Sequence, residues 1–250
     1  MSTAQPGRQG NSEYAMKISP EEPLKRLQGF DSATLFEAAG QKGMVDPAIR
    51  AAWPGARLCG TALTVECPPS DNLMLHHAVA AASPGVVIIA KVGGYLAAGA
   101  WGEILTVAAQ CRGVSGLAVD GAIRDIEAIA RRRFPAFSRG LAIGACTKER
   151  FGALNRPIIF GGVIVRPGDV VFGDGDGLVV IERERLDVVT TAAAERQRKE
   201  ENIIEQLKAG RTTVDLLNLP PLPAGKGGAG CGPAPRPRAK MSGRTSRSAQ

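Results

Sequence analysis

Gly99-Ala100-Trp101-Gly102-Glu103, followed after a gap by Val119-Asp120-Gly121-Ala122-Ile123-Arg124-Asp125, frames the stretch that decides the fold. The glycines make a loop, and residues from about Gly102 to Cys111 read as a helix. Gly116–Val119 is an apolar run of strand length, and Arg124-Asp125 sits in the turn beyond it. A helix leading into a strand buried on both faces belongs to β-α-β alternation, which builds a sheet covered by helices. Glu103 at the helix start and Arg124-Asp125 past the strand are thereby predicted to meet at one sheet edge. Such a place suits an anionic ligand and a metal ion.

Working outward, Val86–Ala90 is a second short apolar strand, and Arg57–Cys67 alternates over its second half, predicting a strand with one wet face. Pro68-Pro69-Ser70-Asp71 ends that strand and caps a helix over Asn72–Ala82. Upstream, Glu21–Gln28 predicts a short helix, and Asp31 N-caps another that runs to Ala39. Gly40–Pro54 reads as an irregular connection. Downstream, a helix over 125–132 and a strand over 135–138 continue the alternation. From Pro157 the texture changes to short strands at Ile158–Phe160, Val163–Val165, Val170–Phe172 and Leu178–Ile181, separated by glycine-rich turns. Glu182–Ala209 predicts a long charged helix, with Gly210 as its C′ residue. The organisation expected is a leader over 1–19, one α/β domain over 20–218, and a Pro/Gly-rich basic tail over 219–250.

Composition bounds the function classes. An apolar content of 44% supports a sizeable core, while only 4% aromatic residues leaves Val, Ile, Leu and Ala to fill it. No run approaches the ~18 apolar residues of a membrane helix, and no secretory signal is visible at the N-terminus, so the cytoplasm is expected. The net charge of +7 hints at nucleic acid, but residues 221–250 carry six basic side chains and no acid. Subtracting those six leaves +1 on residues 1–220. The basic signal belongs to the tail, which without interleaved aromatics predicts weak acidic-surface contact at most. Five cysteines without a Cys-x-x-Cys spacing suggest neither a disulfide framework nor a zinc site. Cys59, Cys67, Cys111 and Cys146 sit in apolar contexts and are expected to be buried thiols, with Cys231 exposed in the tail.

Individual motifs are weak. Glycines before a helix start let backbone N–H groups approach an anion, yet the spacing is neither a Walker nor a dinucleotide-binding loop. Arg124 can bind a carboxylate or enolate oxygen in bidentate fashion, and Asp125 supplies a hard oxygen for magnesium or manganese. Their combination is more specific. Glu103, twenty residues, and Arg124-Asp125 form a pattern that resembles the class II pyruvate aldolases cleaving 4-hydroxy-4-methyl-2-oxoglutarate and 4-carboxy-4-hydroxy-2-oxoadipate. The fold relative of that family is the regulator of ribonuclease activity A. Further matches are Ala33–Ala38, Pro69–His76, Lys148–Asn155 and Pro167–Val171, so the resemblance spans roughly 20–212.

The resemblance implies a layered α/β sandwich around a central mixed sheet or barrel. It implies that backbone N–H groups of Gly102, Glu103, Ile104 and Leu105 hold the pyruvoyl carboxylate. Asp125 would be the direct ligand of magnesium or manganese, and Arg124 would stabilise the enolate. Glu37 and Glu200 of a neighbouring subunit would hold metal-bound waters. A homotrimer or homohexamer is implied, as is oxaloacetate decarboxylation through the same enolate. Many such aldolases carry Asp where this chain has Glu103, so the charge is kept but displaced by one methylene.

Two alternatives stand beside this reading. Lys91, directly after the buried strand, could act as a Schiff-base nucleophile, although a snorkelling lysine is the simpler account. The ribonuclease-regulator branch shares the acidic residue and the Arg-Asp pair, so a non-catalytic protein-binding regulator is the rival from another class. Adjacent His76 and His77 cannot face one ligand from a helix, and Gly173-Asp174-Gly175-Asp176-Gly177 lacks the spaced acceptors of a calcium loop and predicts a hairpin turn.

Overall fold

The computed structural model describes residues 21–223. The expected leader over 1–19, the tail beyond 223 and Cys231 lie outside these residues. Of these, residues 21–202 belong to one compact unit and residues 203–223 to a second.

In chain order the first unit begins with α1 (Glu21–Leu27), α2 (Ser32–Ala38), β1 (Arg50–Ala51), β2 (Leu58–Glu66), α3 (Leu73–Ala81) and β3 (Val86–Lys91). Next come α4 (Glu103–Cys111), β4 (Gly116–Val119), β5 (Ala122–Ile123), α5 (Ile126–Arg131), β6 (Ala136–Ser138), β7 (Gly140–Leu141) and β8 (Ala153–Leu154). The run closes with β9 (Ile158–Phe160), β10 (Val163–Val165), β11 (Val170–Gly173), β12 (Leu178–Ile181) and the long α6 (Leu186–Lys208), within which the boundary between the units falls. A 3-10 turn at Arg183–Arg185 precedes α6, so the helix starts four residues later than its charge pattern predicts.

The central sheet has eight strands in the order β1-β6-β4-β3-β2-β11-β12, with β8 also paired to β2, and it curls into a half-barrel. Strands β2, β3, β4 and β6 run parallel, whereas β11 and β12 add antiparallel to the far side of β2. The mixed sheet follows directly from the connections. Helices α3, α4 and α5 return the chain to the same end for each parallel strand, whereas the tight Gly173–Gly177 turn reverses it.

Alternation along β3 shows how the layers form. Ile88 and Ala90 face a cluster with Leu75, Ala78 and Val79 of α3 and Leu105 and Ala109 of α4. Val87 and Ile89 point the other way, onto Val45, Ile49, Ile158, Phe160 and Val165. A third cluster seals β11 and β12 against Leu27, Leu35, Leu186, Val189 and Ala193. Because β2 is central, its second face is half-buried rather than wet, correcting the expectation from its alternation. The Asp174 carboxylate accepts from Ser32 N at 2.8 Å and Ser32 Oγ at 2.6 Å, so the predicted hairpin turn also anchors the start of α2.

Of the four cysteines expected in the interior, Cys67 is buried and Cys59 and Cys146 are half-buried, but Cys111 is exposed. It is the last residue of α4, ahead of the turn into β4. Among the described residues no helix is long and apolar enough to cross a membrane. In the second unit, Gly210 has φ +94 just beyond α6, as a C′ glycine requires, and α7 (Thr213–Leu216) is N-capped by Thr212.

Candidate active site

The two halves of the opening motif are joined by backbone pairing. Gly99 and Ala122 form a parallel bridge, Ala100 N donates to Ala122 O at 2.8 Å, and Arg124 N donates to Trp101 O at 2.8 Å. This places the start of α4 directly beside Arg124-Asp125. The glycines are required by closeness. A Cβ on Gly99 would lie 2.6 Å from Ala142 O and 2.8 Å from Arg124 Cβ. At Gly102 it would fall 2.4 Å from Asp125 Oδ2.

Below this surface the helix start is pinned. Trp101, fully buried, stacks on Phe134 with ring centroids 6.0 Å apart. Its Nε1 donates to Thr106 Oγ1 at 2.8 Å, and that hydroxyl donates to Gly102 O at 3.0 Å. Asn72, the residue before α3, reaches across to donate from Nδ2 to Ala100 O at 2.9 Å. The loop carrying Gly102 is therefore held from both sides.

Arg124, Asp125 and the backbone N–H of Glu103 lie together. Asp125 sits in the left-handed region at φ +58, a conformation that Asp tolerates better than most L-residues. Its Oδ2 accepts from Glu103 N at 2.9 Å and lies 3.8 Å from Arg124 Nε. The resemblance assigned the N–H groups of Gly102, Glu103, Ile104 and Leu105 to a substrate carboxylate. Here the Glu103 N–H is taken by the chain's own Asp125. The Leu105 side chain is buried in the core beneath, whereas Ile104 is 78% exposed and borders the site from outside. The Glu103 carboxylate is held by Arg132, which donates to its Oε1 from Nε at 2.9 Å and Nη2 at 2.8 Å.

Glu37 on α2 and Glu200 on α6 also come together, on a second cluster. Arg196 pairs with the Glu37 carboxylate, and its Nε lies 2.9 Å from Glu200 Oε1. Glu195 and Glu201 are exposed while Glu200 is half-buried, which singles out Glu200 among the three. Among the described residues no hydrogen bond or ion pair joins this trio to Glu103, Arg124 or Asp125 of the same chain.

Two segments flanking the site are locked by Asp71. Its carboxylate accepts from Thr147 Oγ1 at 2.6 Å, Glu149 N at 2.8 Å, Leu73 N at 2.9 Å and Arg150 N at 3.1 Å. Burial works to raise its pKa, but these four hydrogen bonds prevail and hold it well below the usual carboxylate range. Asp71 thus ties the start of α3 to the 147–150 segment, explaining why Pro69–His76 and Lys148–Asn155 belong to one pattern. His76 is half-buried on α3 and favours its neutral form. Burial, then Lys148 and His77, lower its pKa, and its Nε2 is buried without a partner. His77 stacks on Phe151 at 6.0 Å.

Lys91 is an ion-pair partner. Its Nζ lies 2.7 Å from Glu66 Oε1, in the register that sets Glu66 opposite Lys91 across β2 and β3. The pair borders a cavity of about 320 Å³ with Cys67, Pro69, Gly93 and Ala153. Asp120, at the end of β4, is a further buried acid. Burial raises its pKa against the pull of hydrogen bonds from the Val92 and Gly94 backbone, and it fastens the exit of β3.

Arg132, Arg196 and Asp120 are the residues that motif reading passes over. Arg196 had a signal, standing four residues before Glu200 on one helix. Arg132 had none, because its partner lies 29 residues earlier.

A family model described as RraA-like, Aldolase/RraA, matches residues 31–180, which contain Glu37, Glu103, Arg124 and Asp125. The chain belongs to the RraA-like family. A relative from Halalkalibacterium halodurans, provisionally named a 4-hydroxy-4-methyl-2-oxoglutarate aldolase, is 39% identical over 145 residues, covering 58% of this chain and 69% of its own. Among solved structures, an uncharacterized protein from Pseudomonas syringae pv. tomato is 28% identical with a TM-score of 0.71, covering 79% of this chain and 97% of its own. The RNA-processing inhibitor RraA from Thermus thermophilis is 25% identical with a TM-score of 0.56, covering 60% of this chain and 91% of its own. RraA-like structures thus share the fold, and the names within the family include both aldolases and an RNA-processing inhibitor.

Proposed function

We propose that this protein is a divalent-metal-dependent lyase that cleaves a 4-hydroxy-2-oxo di- or tricarboxylic acid to pyruvate and a second keto acid, and also decarboxylates oxaloacetate. The observation that carries the reading is the juxtaposition of Arg124 and Asp125 with the backbone N–H of Glu103 at the glycine-lined start of α4. The provisional aldolase name of the 39% identical relative supports it.

The donor set fits a magnesium or manganese ion held mainly by water. Among the described residues no group of three or more His, Cys, Asp or Glu side chains converges as a metal cage. Magnesium characteristically binds through one or two carboxylates and keeps several waters. Asp125 offers one such carboxylate, and the absence of a Cβ on Gly102 is what lets that carboxylate sit at the start of α4. Glu37 and Glu200 of a neighbouring copy would accept hydrogen bonds from those waters, which requires self-association as a trimer or hexamer. When bound, the ion supplies Lewis acidity at the keto and carboxylate oxygens of the substrate.

The chain's own residues supply the rest. The remaining N–H groups at the start of α4, those of Gly102, Ile104 and Leu105, and its dipole favour the substrate carboxylate. Glu103, through an ordered water, takes the proton of the C4 hydroxyl as the bond between C3 and C4 breaks. The electron pair flows onto the C2 oxygen, where the Arg124 guanidinium stabilises the enolate as its charge develops. Protonation at C3 then gives pyruvate. Loss of carbon dioxide from oxaloacetate leaves the same enolate.

A coupled assay for pyruvate on 4-hydroxy-4-methyl-2-oxoglutarate, 4-carboxy-4-hydroxy-2-oxoadipate and oxaloacetate tests the proposal. Turnover that requires magnesium or manganese and vanishes in Arg124→Ala and Asp125→Ala is expected. No turnover of any of the three with either metal would sink it. The second reading, a non-catalytic regulator of a ribonuclease, is favoured by the likeness to the RNA-processing inhibitor and would then gain ground.

A further inference from the structure

We infer that Arg132 is a positioning residue for Glu103, an inference that rests on the reaction proposed above. Arg132 follows the last residue of α5 and reaches back to the first residue of α4. Its Nε and Nη2 both donate to one oxygen, Glu103 Oε1, at 2.9 and 2.8 Å. Among the described residues no donor reaches Oε2. The fork therefore selects which oxygen is occupied and which stays open for a water or a substrate hydroxyl.

The guanidinium cannot drift far, because its backbone is held by the same helix. Gln110 Nε2 donates to Arg132 O at 3.0 Å. Arg132 N in turn closes α5 on Ala128 O at 3.1 Å. Glu103 and Gln110 are seven residues apart, so α4 grips Arg132 at two points on one face, two turns apart.

Stability does not account for the pair. Its side chains are 41% and 43% exposed, and ion pairs this open contribute little to folding. Geometry does account for it. Glutamate has one more rotatable bond than aspartate, so an untethered Glu103 carboxylate sweeps a wider arc at the helix start. A base that wanders spends less time in line with its proton, and rate falls without loss of binding. Arg132 removes that freedom and so supports the longer acid at position 103.

The test uses the full-length protein with oxaloacetate and magnesium, and compares wild type, Arg132→Ala, Arg132→Lys, Glu103→Asp and the double variant Arg132→Ala/Glu103→Asp. Arg132→Ala is expected to lower kcat about tenfold with KM changed by less than about threefold. Arg132→Lys recovers part of kcat, since one ammonium donor can reach the same oxygen. In the Glu103→Asp background, where the shorter arm no longer meets the fork, Arg132→Ala costs less than about twofold. A wild-type kcat in Arg132→Ala overturns the inference, as does an equal loss in both backgrounds. Should Arg132→Ala lower the thermal midpoint, Arg132→Gln takes its place in the cycle under the same criteria. An active wild type indifferent to Arg132 removes this inference alone. A wild type that releases no pyruvate removes both it and the proposed function.

Discussion

Asp125 Oδ2 accepts the backbone N–H of Glu103 at 2.9 Å, across 22 positions of sequence. An acid in the turn after one strand thus closes the first turn of a helix from an earlier crossover. Because that helix start is also the proposed seat of a substrate carboxylate, the contact governs access to it.

Gly102 is what allows the contact. In Gly102→Ala the new Cβ would press on Asp125 Oδ2, and either the helix start or the Arg124-Asp125 turn must shift. A displacement of this kind should lower kcat/KM for oxaloacetate by about a hundredfold. The far-ultraviolet circular dichroism spectrum should be unchanged, which separates loss of the site from loss of the fold.

Asp125→Asn keeps a side chain that tolerates the left-handed backbone and removes the charge. Calorimetric titration with manganese should lose its heat in this variant, and pyruvate release should fall by at least about a hundredfold. In the wild type, EDTA should stop turnover and added magnesium should restore it. Turnover that survives EDTA would point away from metal.

Lys91→Met should leave pyruvate release within about threefold of wild type, because the ion pair with Glu66 is a half-exposed structural contact. Borohydride added with pyruvate should leave no adduct by mass spectrometry. A trapped lysine at position 91 would instead favour Schiff-base chemistry.

Asp71 predicts acid sensitivity. Its folded pKa lies below the unfolded value, so its contribution is complete above about pH 4 and disappears as pH falls through the folded value. The urea midpoint of the wild type should therefore drop below about pH 4. Asp71→Asn should be less stable at pH 7 by about 3 kcal/mol and should show a shallower acid slope, since three backbone donors and Thr147 lose a charged acceptor.

Much of the frame was legible in the residues. β3, β4, β11 and β12 are short apolar runs buried on both faces, and nothing competes with that pattern. Asp31 behaves as the N-cap it resembles, accepting from Thr34 N. The strands β1, β5, β7 and β8 span two residues each, too few for any period to register. Cys111 shows a different limit, because apolar neighbours do not say on which side of a helix end a residue falls. At the site, Glu103, Arg124 and Asp125 could be paired by motif, but the backbone bonds that join them could not. Arg132 and Arg196 escaped because long side chains choose partners through tertiary placement, which a linear pattern does not encode.

The left-handed backbone at position 125 has an evolutionary corollary. Asn and Gly, like Asp, adopt φ near +58 at modest cost, whereas β-branched residues do not. A lineage abandoning metal chemistry could therefore replace this acid by Asn, whose amide oxygen still accepts the Glu103 N–H, with its scaffold undisturbed. One and the same architecture could then pass from catalyst to binding protein by a single codon change.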